Sequence, residues 1–490
     1  VQKLTIVALT LACTDPAGRS DAGPLDTASS VPKMASAAEP SAMSPTITSS
    51  PPPREPPPEE PLAAKGRALV TLLQEGKFAD VTAGFDATMA AALPAEKLAQ
   101  VWSGLVAGVG AFQSIERARV EPVGAYRTAL VTCQFANARL DAKIAFDRDE
   151  KVAGLFFSPA ADPYADPPYV DRSKLEEREV TVGAWALPGT LTLPKGSGPF
   201  RAVVLVHGSG PNDRDESVGA NKPFKDLAGG LASRGVAVLR YEKRTFRGSE
   251  KRGGRTEPPR EEVHGAKLAK EVELTVDHET VDDALAAVAL LRGMKEIDAA
   301  HVVVAGHSLG GQLAPRIAAR APGSVAAIAI LAGSTRPIPD MMVEQVRYIA
   351  SLDGRRAPEE DQQLAQLEKA AARARELMKG QPGKDGEVVL GAGAAYWADL
   401  GKYDALAVAA KLDVPIFVAQ GGRDYQVTTV DFDAWKKALA GKPKVTFELL
   451  AEANHLFGPG EGKSAPEEYQ RRAPVDVRLV ERLAAWVAGL

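Results

Sequence analysis

From Arg201 onward the chain repeats a rhythm that few folds can accommodate, a short unbroken apolar run followed by an amphipathic stretch. The runs RAVVLVHG, VAVLRY, HVVVAG and VAAIAILAG are separated by KPFKDLAGGLASRG, VDDALAAVALLRG and LGGQLAPRIAARA. Strands that are apolar at successive positions, rather than at every second one, are buried on both faces, as in a parallel sheet packed between two layers of helix. The pattern predicts an α/β fold with a mostly parallel central sheet and helices on both faces. Just before it, REVTVGAWALPGTLTLP predicts an antiparallel pair around Pro188-Gly189. Residues 336–412 break the alternation with charged, helix-like sequence, which reads as a helical cap insertion. The rhythm then resumes at VPIFVAQG and VTFELLA and ends in the helical RLVERLAAWVAGL.

A chain of 490 residues is too long for one ordinary domain. Residues 63–160 read as a separate α+β unit. Helical spacing in AAKGRALVTLLQEGKFADVTAGF and LPAEKLAQVWSGLVAGVG precedes FQSIERARVEP, YRTALVTCQFA, ARLDAKIAFD and KVAGLFF, which alternate as antiparallel strands do. With FADVTAGFDATMAAALP as the cue, this unit resembles the small cystatin/NTF2-like domain of unknown function found in front of some bacterial hydrolases. It carries no nucleophile with a partner, so its expected role is structural or accessory. Residues 161–178, with DPYADPPYVD, read as the linker into a second unit at 179–490.

At the other end, VQKLTIVALTLACTD places one lysine, an apolar stretch of about nine residues and then Cys13, too short a stretch to span a bilayer. Residues 1–13 resemble a bacterial lipoprotein signal peptide cut before a cysteine that then carries lipid. Thr10 stands where that motif has a branched apolar residue, so a plain secretory signal with an incidental cysteine is the alternative. Residues 14–62, rich in Ser, Thr, Ala and Pro and ending in PPPREPPPEEP, cannot bury enough apolar surface to offset their ordering entropy and are expected to be a disordered tether. Together these features point to export and a lipid-anchored place in the cell envelope. Cys133, in VTCQF, then has no disulfide partner and reads as a small buried hydrophobe.

Composition narrows the function. Lys plus Arg total 59 and Asp plus Glu 63, a net charge of −4, which argues against a nucleic-acid partner. Two cysteines exclude a disulfide framework and a four-cysteine zinc site, and no metal or organic cofactor is implied. The basic run EKRTFRGSEKRGGR (242–255) reads as a solvated loop. In HGSGPNDRDE, the trio Asp213, Arg214 and Asp215 reads either as a self-satisfied salt-bridge turn or as a contact for a polar substrate.

The strongest chemical signal is Gly306-His307-Ser308-Leu309-Gly310, between strand HVVVAG and helix LGGQLAPRIAARA. The bare G-x-S-x-G pattern arises by chance in roughly one chain in seven of this length. A serine at a sharp strand-to-helix turn is far more specific, because the strained bend exposes its hydroxyl and the flanking glycines avoid Cβ clashes. Ser308 is therefore the candidate nucleophile, and it needs a base. The chain has six histidines. His207 ends a strand, His301 begins one and His307 lies inside the elbow, while His264 and His278 precede Ser308, against the order Ser, acid, His. His455, in AEANHLFG after the last strand, remains as the base. Asp424, just past strand VPIFVAQG, is the acid that would hold its tautomer. The oxyanion donors are expected at the backbone of Leu309 and of Ser209, with Gly210 as the alternative, in the glycine-rich turn after RAVVLVHG.

Residues 179–490 resemble a serine hydrolase of the α/β-hydrolase superfamily, specifically bacterial carboxylesterases related to dienelactone hydrolases. The resemblance rests on HGSGPNDRDE (His207 to Glu216), the stretch from Gly219 to Thr245, and GHSLGG (Gly306 to Gly311). Dienelactone hydrolases proper carry cysteine at the elbow, and serine at 308 places this chain beside the esterases. The resemblance implies hydrolysis of a small-molecule ester through an acyl-enzyme, with Ser308, Asp424 and His455 as the triad. A peptidase, acyltransferase or thioesterase using the same triad is the alternative, and a non-catalytic envelope binding protein is the alternative of another class. Nothing in the sequence fixes the oligomeric state.

Overall fold

A computed structural model describes residues 60–123, 126–160, 164–247, 274–352, 354 and 358–490. Residues 1–13 with Cys13, the tether up to residue 59, His264 and most of the basic run 242–255 lie outside the described residues. Among the described residues no helix is long and apolar enough to cross a membrane.

Helices α1 (Pro61–Gln74), α2 (Phe78–Ala83), α3 (Ala87–Ala92) and α4 (Ala95–Val109) precede strands β1 (Phe112–Val123), β2 (Tyr126–Phe135), β3 (Arg139–Phe146) and β4 (Val152–Pro159). The strands form an antiparallel meander in the order β1-β2-β3-β4. Apolar residues of α1, Leu62, Val70 and Leu73, share a core with Ala129, Val131 and Ile144 from the sheet. Gly66 permits that approach, since a Cβ there would lie 2.8 Å from the Ala129 Cβ. Cys133 is buried in the same core, and burial pushes its thiol up to about 12. It behaves as a small apolar residue there.

A second, eight-stranded sheet follows. Its elements are β5 (Leu175–Val182), β6 (Leu187–Pro194), β7 (Phe200–Val206), α5 (Pro223–Ala232), β8 (Ala237–Tyr241), α6 (Asp282–Arg292), β9 (Ile297–His307), α7 (Leu309–Arg320) and β10 (Ala327–Leu331). After them come α8 (Ile338–Ala350), α9 (Pro358–Met378), the short β11 (Val388–Val389) and β12 (Ala392–Gly393), α10 (Ala394–Gly401), α11 (Ala405–Lys411), β13 (Ile416–Gly421), α12 (Thr429–Ala438), β14 (Val445–Leu450) and α13 (Val477–Ala488). Across the large sheet the order is β14-β13-β10-β9-β7-β8-β6-β5, parallel from β14 to β8 and antiparallel at β6 and β5. Successive side chains of a strand face opposite sides. Val204 and Val304 accordingly pack with α6, α7 and α12, while Val203 and Val303 pack with α5 and α13. This two-sided burial is why the strands read as continuous apolar runs.

The expected hairpin is present, but its turn is not at Pro188-Gly189. The chain turns at residues 183–186, where Gly183 and Ala186 both have positive φ, and Pro188 and Gly189 lie inside β6. Pro188 is tolerated because β6 begins pairing with β8 only at Gly189, and its carbonyl accepts from the Glu242 amide at 2.8 Å.

The insertion after β10 forms α8 to α11, with the strand pair β11–β12 before α10. Ile338, Met341, Tyr396 and Trp397 from it share a core with Leu309 and Leu313 of α7 and with Val427. Tyr348 of α8 stacks on Tyr425 with centroids 5.0 Å apart.

Candidate active site

Parallel strands bring their carboxyl ends to one edge of a sheet, where open α/β sheets hold their sites. Four loops meet here, following β7, β9, β13 and β14, and each carries a residue singled out by the sequence.

The loop after β9 is the sharp bend at Ser308. Its φ of 54° and ψ of −116° lie in a region that L-residues avoid. The bend is held by the Ser308 amide donating to the Leu331 carbonyl at 2.9 Å. A Cβ on Gly306 would lie 2.6 Å from the Gly311 nitrogen and collide with the Gly310 carbonyl, and one on Gly310 would lie 2.6 Å from the His207 carbonyl oxygen. Ser308 is partly exposed between buried neighbours, so the strained turn presents its hydroxyl. Leu309 begins α7, where a backbone N–H has no intrahelical acceptor.

After β13, Asp424 is buried and its carboxylate is fully occupied. Oδ1 accepts from the amides of Gln426 at 2.8 Å and Val427 at 2.9 Å, while Oδ2 accepts from Gln420 Nε2 at 3.1 Å. Oδ2 also lies 2.7 Å from His455 Nδ1 in the loop after β14. A carboxylate only accepts, so in the neutral ring the proton sits on Nδ1 and Nε2 keeps its lone pair. The Asn454 side chain shapes the histidine loop by accepting from the amides of Leu456 and Gly458. The His455 ring lies against that of His307, centroids 4.6 Å apart, one residue from Ser308.

The loop after β7 lies directly against the bend. A Cβ on Gly208 would be 3.1 Å from the Ser308 Cβ and 3.6 Å from its Oγ. The Gly208 amide is not available to a substrate, because it donates to Glu216 Oε1 at 2.6 Å. The amides of Ser209 and Gly210, both partly exposed, donate to no acceptor among the described residues. Gly210 has φ of +87°, a conformation suited to glycine.

The other histidines take different parts. Burial lowers His207 to about 4, and this neutral ring donates from Nε2 to the Asp213 carbonyl at 3.0 Å. His301 pairs with Asp298 at 2.7 Å. His307 turns away from its serine, its Nε2 donating to the His455 carbonyl at 2.9 Å and its Nδ1 lying 3.0 Å from Glu216 Oε2.

Asp213, Arg214 and Asp215 form the self-satisfied turn. Asp213 accepts from Ser217, Arg214 reaches Glu179 and Glu242, and Asp215 pairs with Lys222 and Arg240. The basic run departs from its expected solvated state at Lys243 and Arg244. Lys243 is buried, and Arg244 is half-buried against Asp283 with contacts of 2.8 and 2.5 Å. Both follow directly on β8 at the edge where the site lies, and acidic residues of α6 and of the turn before it neutralise them. Glu216 and Lys243 are site residues that the sequence reading passed over. The available signal was position, since Glu216 closes HGSGPNDRDE and Lys243 comes two residues after an apolar strand that ends at the carboxyl edge.

The fold and the bend at Ser308 define a class, and comparison with known proteins gives the family. Residues 203–470 match the family model described as the alpha/beta hydrolase family, and residues 67–155 match one described as a protein of unknown function (DUF3887). The chain belongs to the alpha/beta hydrolase family. It is 39% identical over 398 residues to Esterase EstD of Thermotoga maritima, across 81% of this chain and 88% of that protein. Similar solved structures include an esterase of Pyrococcus furiosus, at 14% identity and a TM-score of 0.38, covering 68% of this chain and 97% of that one. Another is the 2,6-dihydroxy-pseudo-oxynicotine hydrolase, at 17% identity and a TM-score of 0.37, covering 64% and 67%.

Proposed function

We propose that the protein is a serine carboxylesterase that hydrolyses small-molecule esters through an acyl-enzyme on Ser308. The observation that carries this reading is the buried 2.7 Å contact between Asp424 and His455, beside a serine held at φ 54°. Asp424 fixes the Nδ1–H tautomer, so Nε2 of His455 is the base. The Ser308 oxygen attacks the ester carbonyl carbon as its proton passes to Nε2. The Leu309 and Ser209 amides, with Gly210 as the alternative to Ser209, receive the developing oxyanion. Collapse expels the alcohol, which takes the proton from His455. Water then attacks the acyl-enzyme by the same proton path and releases the carboxylic acid. The kinship with Esterase EstD supports an ester as the substrate.

The cap of residues 336–412 limits the acyl group, a reading supported by the packing of Ile338 and Met341 on Leu309. The unit at 63–160 acts as an accessory to the catalytic unit at 179–490. Export and lipid attachment at Cys13 complete the proposal, on the strength of the apolar stretch before Cys13 and the proline-rich tether after it. Radiolabelled palmitate entering the protein, and not its Cys13→Ala variant, would support the anchor.

A fluorophosphonate probe tests the chemistry. It should label the wild-type protein and not Ser308→Ala, and that variant should lose about 10⁴–10⁶ in kcat on nitrophenyl esters. Unlabelled wild-type protein, or a loss under about tenfold, would overturn the reading. A panel of esters from acetate to laurate then defines acyl preference.

A further inference from the structure

We propose that Lys243 is a positioning residue that aims and polarises the Ser209 backbone N–H, making Ser209 rather than Gly210 the principal donor of the oxyanion site. The proposal rests on the esterase reading above and concerns a side chain that does not touch the substrate.

The Gly208 C=O and the Ser209 N–H are opposite ends of one planar trans peptide and point in opposite directions. Whatever holds the carbonyl therefore aims the N–H. Lys243 Nζ donates to the Gly208 carbonyl at 2.9 Å, and Asn212 Nδ2 donates to it at 3.2 Å. Asn212 Nδ2 also reaches the carbonyls of Ser209 at 3.1 Å and Gly210 at 3.2 Å. The loop thus turns three carbonyls toward one amide, and the N–H groups of Ser209 and Gly210 face away from it. On the other side, the Gly208 N–H is fixed by Glu216. Both polar ends of Gly208 are therefore held by buried charged side chains, against the Ser308 side chain.

Of these peptides, only Gly208–Ser209 carries an ammonium on its carbonyl. The Lys243 side chain is 2% exposed, which a lone charge would not tolerate, and Glu279 neutralises it at 3.2 Å. Glu279 is held in turn by the Thr245 hydroxyl at 2.7 Å. A cation on a carbonyl oxygen draws electron density through the amide and strengthens the N–H at its other end. It also sets positive charge one peptide away from the place where the oxyanion forms.

A counter-ion for Glu279 and nothing more is the simpler role, and the test separates the two. Full-length wild-type protein is compared with Lys243→Gln, and with the double variant Lys243→Met/Glu279→Gln, which removes the charges together should the single variant not fold. Three quantities are measured: kcat and KM on a nitrophenyl ester, affinity for phenylboronic acid, which forms a tetrahedral anion on serine, and affinity for the unreactive ether analogue of the substrate. The expected result is a fall of about 10–100-fold in kcat and in boronate affinity, with KM and ether affinity within about threefold. Unchanged kcat and boronate affinity would overturn the proposal, and so would equal losses for boronate and ether, the mark of a purely structural residue. Failure of the esterase reading shows separately, as wild-type protein that neither reacts with fluorophosphonate nor depends on Ser308.

Discussion

Glu216 Oε2 and His307 Nδ1 lie 3.0 Å apart, both buried, between the glycine loop after β7 and the bend at Ser308. With the Glu216 contact to the Gly208 amide and the His307 contact to the His455 carbonyl, the pair joins three of the four loops that build the site. Burial alone would raise the Glu216 carboxyl, but the charge of His307 and its contact outweigh it and leave the group below its usual range. For His307, burial alone would lower the ring, and the charge and contact of Glu216 outweigh that and leave it above its usual range. Both shifts favour the ionised form of the pair.

These two shifts set a pH window for stability. The contribution of a lowered carboxyl is complete above its unfolded value and disappears as pH falls through the folded one. That of a raised histidine is complete below its unfolded value and disappears as pH rises through the folded one. Wild-type protein should therefore exceed Glu216→Gln in melting temperature most clearly near pH 6, with the gap narrowing toward pH 9 and again in acid. Melting curves of both proteins across that range check it, and a gap independent of pH would remove the ion pair from the account.

Replacement of Asp424 tests the orientation of the base. Asparagine can still accept the amides of Gln426 and Val427, but its NH₂ group can face Nδ1 and favour the wrong tautomer of His455. Asp424→Asn should remain folded by circular dichroism and lose about 10⁴ in kcat. A loss below about tenfold would mean that another group orients the imidazole.

Much of this arrangement was legible in the sequence, for physical reasons that can be named. The parallel sheet was visible because strands such as β7 and β9 are buried on both faces and carry unbroken apolar runs. The bend was visible because Gly306 and Gly310 leave no room for a Cβ. What the sequence hid depends on partners far along the chain. Lys243 belongs to a stretch whose charges look solvated, and only the fold brings Glu279 and the Gly208 carbonyl to it. Glu216 likewise gains its meaning from His307, across the loops. The hairpin turn was misplaced because Pro-Gly is a strong local turn signal, whereas Gly183 and Ala186, with positive φ, make the turn.

The bend itself gives a sharp contrast between two glycines. A Cβ at Gly306 would meet backbone atoms of residues 310 and 311, which no side-chain rotation can relieve. Gly306→Ala should lower both stability and fluorophosphonate labelling, the latter by at least about 100-fold as the serine is displaced. Gly104, in the interior of α4, has open space around its missing Cβ. Gly104→Ala should leave activity unchanged and stabilise the protein by up to about 1 kcal/mol through helix propensity. Equal behaviour of the two variants would contradict the packing described for the elbow.

Asp431 fixes the point where the chain leaves β10 for the cap. It is fully buried, and its carboxylate accepts from the Thr335 amide and hydroxyl, each at 2.8 Å, and from Arg336 Nη2 at 2.8 Å. Arg336 also donates to Thr428 Oγ1 at 3.2 Å, so the start of the insertion is tied to the N-terminus of α12. Removing the carboxylate leaves these donors without their acceptor, while Arg336 is partly exposed and recovers some hydration. Asp431→Ala should cost about 2–3 kcal/mol in denaturant unfolding. With the loops of Ser308, Asp424 and His455 untouched, fluorophosphonate labelling should persist while KM for longer acyl esters rises as the cap loses its fixed origin. Unaltered stability and an unaltered KM across the ester series would show that the cap is held by its apolar contacts with α7 alone.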